Sequence, residues 1–419
     1  MTAPVADGLT WGVVALATAG VIARPWKLPE AVWAVSGAVL LVALGLLPAR
    51  VAAAGVGKGL DVYFFLTGMM LLSEIARREG LFDTVAALAV ARAGGSPRRL
   101  FLLVYAVGTV VTALLSNDAT AVVLTPAVFA AARRARVDPL PYVLVCAFVA
   151  NAASFVLPIS NPANLVLYGG RVPPLGRWLA AFALPSALSV AATYAALRLT
   201  AGRRLGARCE GGIGAPPLTA GGRGALAGIA LTAVVLLAAS ALDRPLGVPT
   251  AAMGVLTAAA VLVRTRSSPA PVLRGIAWAV LPLVAGLFVL VEALDRTGVI
   301  RQLAAVLRAG VHASPAGTPW AAGVALAVAS NFMNNLPAGL VASATLAQAH
   351  PPPAVTDALL IGVDLGPNLS VTGSLATILW LAAVRREGQD VGFGRFLRVG
   401  LLVMPPALLL ALAARLVGA

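Results

Sequence analysis

Charge is what this chain has least of. Only 11% of its 419 residues are Asp, Glu, Lys or Arg, where a soluble domain carries roughly a quarter. A water-soluble globular fold is excluded on that ground. Cysteine is scarce too: Cys146 and Cys209 make no disulfide framework and cannot supply three converging thiolates to a thiophilic solute. Cys146 reads as packing in an apolar helix, and Cys209 as a free thiol in a basic loop. The two histidines, His312 and His350, form no Cys/His cluster, so a protein metal cage is excluded; neither metal nor cofactor is expected. No Gly-x-x-x-x-Gly-Lys-Ser/Thr phosphate loop occurs, which excludes nucleotide hydrolysis by this chain alone. No catalytic constellation is present, so the chain is read as a carrier and not an enzyme. The alternating ten-residue segments of a membrane β-barrel are missing. Residues 1–7 carry no basic n-region, so no cleaved signal peptide is expected.

What is present is hydrocarbon-compatible sequence. The chain is 60% hydrophobic, with a mean hydropathy of +0.92. Apolar runs recur from end to end, for example 31–47, 224–242 and 396–416, each long enough to cross a bilayer as a helix. These runs predict an all-α polytopic membrane protein of about 10–12 transmembrane segments. The formal net charge of +15 is nearly all arginine, clustered between the runs: Arg133, Arg134 and Arg136; Arg203, Arg204 and Arg208; Arg264, Arg266 and Arg274; Arg385 and Arg386. A nucleic-acid partner is a poor explanation. Positive-inside bias and attraction to anionic lipid headgroups explain the pattern more simply. The stretch 198–223 holds five arginines and one glutamate and is placed in the cytoplasm.

The organisation reads as spanning segments in 1–60, a first repeat in 61–199 (scaffold plus transport elements), a polar loop at 200–223, linking spans in 224–271 and a second repeat in 272–419. Four matches carry the repeat reading. Residues 74–82 resemble 292–300, and Ala91-Arg92-Ala93-Gly94 resembles Leu307-Arg308-Ala309-Gly310. Ser116-Asn117 matches Ser330-Asn331, and residues 160–166 roughly match 373–379. Their order is preserved at an offset near 215. Weak internal symmetry of this kind marks transporter repeats. A polar break at 74–80 separates two apolar stretches, the second of which, 81–93, is short for a span; this suggests either a helical hairpin across the break or one tilted helix followed by an interfacial one. Residues 101–132 read as one span broken near its middle at Asn117-Asp118.

Polar, Gly- and Pro-broken segments sit inside the apolar stretches of both halves. Ionisable groups in hydrocarbon are costly and usually face a cavity where they have a task. A broken helix also leaves four amide donors and four carbonyls unpaired, which Asn, Ser and Thr side chains complete well. The candidate solute ligands are Asn117, Thr120, Asn161, Asn164, Asn331, Asn334, Asn335, Asn368 and Ser374. Asp118 and Asp364 are the candidate proton carriers, because burial disfavours the ionised form of an acid. Asp364 has a competing role as cap of a short helix near Leu369. Glu74 and Glu292, at the ends of apolar runs, read as partners of nearby arginines. Amides donate and accept without charge. They favour a neutral hydroxylated solute or a small cation over a multivalent anion, which should use Arg or helix N-termini more visibly. Sodium/proton exchange is the alternative that suits the same residues.

Ser116-Asn117-Asp118-Ala119-Thr120-Ala121-Val122-Val123-Leu124-Thr125-Pro126 resembles a signature of the arsenical pump membrane protein family. So do Asn151-Ala152-Ala153-Ser154 with Ser160-Asn161-Pro162-Ala163-Asn164-Leu165, and Met333-Asn334-Asn335-Leu336-Pro337. Most specific is Asp364-Leu365-Gly366-Pro367-Asn368 followed by Gly373-Ser374-Leu375-Ala376-Thr377-Ile378-Leu379-Trp380. The resemblance runs from about Val62 to Trp380. It implies inverted repeats with a scaffold part and a transport part, with re-entrant hairpins among the elements. It also implies a carrier in the bacterial plasma (inner) membrane that exports arsenite and antimonite, as neutral trihydroxides, in exchange for protons. In some bacteria such carriers associate with a soluble ATPase. Asn117, Asp118, Asn161, Asn164, Asn334, Asn335, Asp364 and Asn368 fall on the matching motif positions. Asn368 stands where some relatives carry a lysine.

Overall fold

The computed structural model describes residues 3–170, 172–206, 208–210, 214 and 216–417, and among these it contains helices and no strand. The chain opens with α1 (Ala3–Ala23), α2 (Glu30–Ala43) and the short α3 (Ala49–Lys58). There follow α4 (Leu60–Arg78), α5 (Leu81–Ala93), α6 (Pro97–Leu114) and α7 (Asn117–Ala119), the last continuing through a π-turn, Thr120–Leu124, into α8 (Thr125–Arg134). Then come α9 (Leu140–Ala152), α10 (Pro162–Leu167) and α11 (Leu175–Ala201). Past the central loop lie α12 (Ala220–Ala241), α13 (Gly247–Thr265), α14 (Ala270–Gly275), α15 (Val280–Arg296), α16 (Val299–Ala313) and α17 (Gly317–Met333). The chain closes with α18 (Asn335–Ala349), α19 (Pro353–Leu365), α20 (Leu375–Arg386) and α21 (Phe393–Leu416).

Among the described residues, six helices are each long and apolar enough to cross a membrane: α1, α6, α11, α12, α13 and α21. The pair α3 and α4, bent by 49°, makes a seventh. The rest of the apolar sequence is in shorter pieces joined at breaks. This is an all-α polytopic membrane protein, built as much from interrupted helices as from continuous ones.

Two ends of the bundle can be told apart. At one, the central loop meets α4: Thr219 Oγ1 donates to the Glu79 carbonyl at 3.2 Å. At the other, the Gly247 amide donates to Asp61 Oδ1 at 2.8 Å, joining the start of α4 to the start of α13. Lys58 pairs with Glu292 at 2.5 Å at that same end, so α15 finishes where α4 begins. Arg78, at the finish of α4, donates to the Pro271 carbonyl in α14, just ahead of α15. Thus α4 and α15 run in opposite senses, as inverted repeats require. Glu74 is held by Arg77 and Arg78, both at 2.7 Å, the nearby arginines expected for it; Glu292 is held instead by Lys58, a lysine distant in sequence.

The segment α6–α8 corrects the expectation of a single broken span. Adjacent residues of the central loop hold both of its ends. The Cys209 amide donates to the Gly95 carbonyl at 3.0 Å, and the Glu210 amide to the Ala135 carbonyl at 2.9 Å. A chain whose two ends share one anchor has turned back, so α6 and α7–α8 form a re-entrant hairpin with its tip at Leu115–Asp118. The second half repeats the device. Arg308 in α16 donates to the Gln348 carbonyl at the end of α18, while Gly310 of the same helix abuts Thr318 at the start of α17. On either side of the polar break at 74–80 the chain forms two separate helices, α4 and the short α5, the latter bracketed by Gly80 (φ 69°) and Gly94 (φ 60°). The left-handed backbone at these two glycines stops one helix and redirects the next. Cys209 is a free thiol, as expected, but a buried one, and burial pushes its pKa above the usual thiol value.

The tightest packing is at helix crossings made by glycine. A Cβ on Gly68 of α4 would collide with the Thr250 carbonyl of α13, and one on Gly254 would lie 2.6 Å from the Gly68 carbonyl. In the other half, a Cβ on Gly362 of α19 would collide with the Gly323 carbonyl of α17. Small residues let backbones approach where lipid supplies no hydrophobic drive between helices. Gly362→Ala should therefore lower stability by about 1–3 kcal/mol through overpacking. Gly176→Ala, which meets nothing within 4 Å, should leave it unchanged or slightly higher. Thermal unfolding of both variants in detergent checks this; equal midpoints would mean that the crossing tolerates a methyl group.

Candidate functional site

Four helices begin inside the bundle, and each first turn is completed by a side chain from the break before it. Ser116 Oγ accepts from the Ala119 amide at 3.2 Å, and Asn161 Oδ1 from the Ala163 amide at 3.0 Å. Asn334 Oδ1 accepts from the Leu336 amide at 3.3 Å, with Asn334 itself at φ 73°. Ser374 Oγ accepts from the Thr377 amide at 3.1 Å, and Thr377 Oγ1 accepts in return from the Ser374 amide at 3.2 Å, a reciprocal capping box. Each cap of this kind contributes about 1 kcal/mol. The caps also fix the repeat register: Ser116 corresponds to Asn334 and Asn161 to Ser374. Ser330-Asn331, matched to Ser116-Asn117 on sequence, lies within α17 and is not the hairpin tip.

The four starts face one small cavity. Asn117, Asp118, Asn161 and Asn335 line it with their first-turn neighbours Leu336 and Leu375, and Leu66 of α4 and Val280 of α15 form its wall toward the rest of the bundle. The space open to the centre of a water molecule is about 10 Å³, roughly that of a single water. Among the described residues no Arg or Lys lines it, and Asp118 is the one ionisable side chain on its wall. The sequence pointed away from helix N-termini, yet here they converge. Their partial positive charge offsets the Asp118 carboxylate.

Asp364 stands directly behind this cavity. It is fully buried, and its Oδ1 accepts from Asn161 Nδ2 at 2.6 Å. Its Oδ2 has no partner, which leaves one oxygen open to a proton or a ligand. Asn161 therefore caps α10, lines the cavity and touches Asp364 at once. The competing role of Asp364 as a helix cap finds no contact of that kind.

The other candidates lie around the cavity and hold its walls. Asn164 Nδ2 spans the break before α10, donating to the carbonyls of Ser154 at 2.9 Å and Pro158 at 3.3 Å, while its Oδ1 is unpaired. Asn331 Nδ2 donates to the Ala327 and Gly366 carbonyls, and its Oδ1 accepts from Ser370 Oγ at 2.7 Å, so it braces the break after α19. Thr120 shares a hydroxyl pair with Thr112 at 2.8 Å. Asn368 Nδ2 donates to the Phe148 carbonyl at 3.1 Å.

Sequence reasoning missed Asn151 as a site residue. Its Nδ2 donates to Asn368 Oδ1 at 3.0 Å, and its Oδ1 accepts from Ser374 Oγ at 3.3 Å. One amide of the first half thus fastens both sides of the break in the second. A fully buried asparagine in the otherwise apolar α9 was the available signal, because a buried amide needs partners.

Comparison with known proteins agrees with this architecture. A family model described as citrate transporter, CitMHS, matches residues 14–384. The chain is 29% identical over 360 residues to an arsenical pump membrane protein of Yersinia enterocolitica, covering 83% of each. It is likewise 29% identical over 368 residues to one of Escherichia coli (strain K12), again covering 83% of each. An uncharacterized transporter of Mycobacterium tuberculosis (strain ATCC 25618 / H37Rv) is 27% identical over 84% of each chain. In fold it is similar to the YdaH transporter of Alcanivorax borkumensis, at a TM-score of 0.59 and 16% identity over 87% of this chain and 86% of that one. With re-entrant hairpins, opposed repeats and a family match over most of its length, the chain belongs to the family described as citrate transporter, CitMHS, and the arsenical pump membrane proteins that its motifs resemble are among its relatives.

Proposed function

We propose that the protein is a proton-coupled secondary carrier that exports trivalent metalloid, arsenite or antimonite as the neutral trihydroxide. The observation that carries this reading is the cavity of Asn117, Asp118, Asn161 and Asn335, lined among the described residues by amides and one carboxylate and by no cation. Three hydroxyls can donate to amide oxygens and to the carboxylate and accept from amide N–H groups. Proton and solute couple if they share this site and favour opposite facing states. Asp118 is the residue at which they would compete, and Asp364 the second acid, reached through Asn161.

Most arginine clusters, including Arg133 and Arg134, Arg264 and Arg266, and Arg385 and Arg386, fall at the central-loop end of the bundle. By the positive-inside bias this end faces the cytoplasm of a bacterial inner membrane. The cavity would then load solute from that side. A soluble ATPase would dock there if one is used. Deleting 202–222 would not isolate ATPase docking from transport, because Cys209 and Glu210 hold the first hairpin in place.

A carboxylate-bearing solute is the second reading. It is favoured by the four converging helix starts and by the family description. Against it stands the absence, among the described residues, of a cationic side chain on the cavity wall. Sodium/proton exchange remains the third possibility that the same donor set would serve.

Everted vesicles energised by a proton gradient should take up arsenite, and an uncoupler should abolish that uptake. Citrate uptake, or sodium-evoked proton movement without arsenite uptake, would replace this reading with the second or the third. Asp118→Asn and Asp364→Asn should each lower gradient-driven arsenite uptake at least tenfold while membrane abundance stays near that of the parent; unimpaired uptake in either variant removes that acid from the coupling. Asn151→Ala should act differently. It leaves Asn368 Oδ1 without a buried donor, at a cost of about 1–3 kcal/mol, and takes one of several partners from Ser374 Oγ, so the thermal midpoint should fall together with transport.

A further inference from the structure

We propose that the groove between α4, α13 and α14 is a binding site for an anionic phospholipid of the leaflet at the central-loop end. The groove encloses about 730 Å³, far larger than the solute cavity and separate from it. Its walls are aliphatic, with Leu71 of α4 opposite Val255 and Leu262 of α13. Along α13 it runs from Val255 to Arg266, about 16 Å at ~1.5 Å per residue. That is close to half of a hydrocarbon core of ~30 Å, the depth of one leaflet. The apolar length therefore suits acyl chain, and it stops where a headgroup would begin.

The polar end has the complementary chemistry. Arg266 and Ser267 close the groove there, and Arg264 and Arg274 flank it on the same two helices. Among the described residues, none of these three arginines has a carboxylate within 4.0 Å. Trp278 sits at the mouth with its indole N–H donating to the Leu273 carbonyl at 2.7 Å, in the manner of residues that mark the headgroup level. Unpaired arginines at that level attract acidic lipid. A free inorganic anion would leave the aliphatic walls unused. A second copy packed by two-fold symmetry would bring the same three arginines toward their counterparts.

Native mass spectrometry of the full-length protein, with phosphatidylglycerol and phosphatidylcholine of identical acyl chains, tests this. The parent should retain phosphatidylglycerol at least threefold over phosphatidylcholine. Arg266→Gln with Arg274→Gln should remove that preference, and Ala259→Trp, which fills the groove, should reduce retention of both lipids. Thermal midpoints measured without added lipid should stay near that of the parent, which shows the variants are folded. Equal retention of the two lipids by the parent, or unchanged retention in folded variants, overturns the proposal. Displacement of the lipid by millimolar inorganic phosphate would make the arginines a simple anion site. A dimer that dissociates in Ala259→Trp without any change in lipid retention would assign the face to a second copy.

Discussion

A helix that stops inside hydrocarbon leaves its end amides and carbonyls with no water to meet them, and the whole arrangement follows from how this chain meets that demand. Side chains of the breaks answer it locally: Ser116, Asn161, Asn334 and Ser374 each receive an amide of the turn that follows. Side chains of the other half answer it at long range. Asn151 reaches Asn368 and Ser374, and Asn368 reaches back to the Phe148 carbonyl. The cavity is what remains between four helix starts satisfied in this way, and its polarity is a by-product of satisfying them.

Around that polar centre the bundle is closed by contact between backbones. Gly68 with Gly254, and Gly323 with Gly362, let α4 approach α13 and α17 approach α19 more closely than any side chain would permit. The first crossing belongs to the part that flanks the groove, the second to the part that carries a hairpin. Ion pairs serve mainly at the two ends. Asp357, buried at the end away from the central loop, is held by Arg415 at 2.7 Å and by Tyr168 at 3.1 Å.

Much of this was legible in the sequence for a simple reason: polar residues are conspicuous against an apolar background. Asn117, Asp118, Asn161 and Asn335 stood out as interruptions, and the structure brings them together. The direction of the chain after an interruption was not legible. A span kinked at Ser116-Asn117 and a hairpin turning there have the same local composition. What decides between them is a pair of bonds from Cys209 and Glu210, far away in sequence and made by backbone groups that carry no residue signature. The register of the second hairpin failed for a related reason. Asn331 and Asn335 are both amides beside a helix end, and only the left-handed turn at Asn334 (φ 73°) shows which of them begins the new helix. Asn151 reads as part of a motif but not as a site residue, because a lone amide in an apolar helix looks like an exception to a pattern instead of the start of one.

The cross-half bonds also constrain how the protein can be made. Asn161 meets Asp364 across 203 residues of chain, and Asn151 meets Ser374 across 223. When a ribosome has finished the first half, the Asn151 amide and Asn161 Nδ2 still lack the partners they will have in the finished fold, because Asn368, Ser374 and Asp364 are not yet made. The two halves therefore cannot mature in succession as independent domains do. The first must wait, with its hairpin and polar tip only loosely placed, until α19 and α20 enter the membrane and complete both halves in a single step.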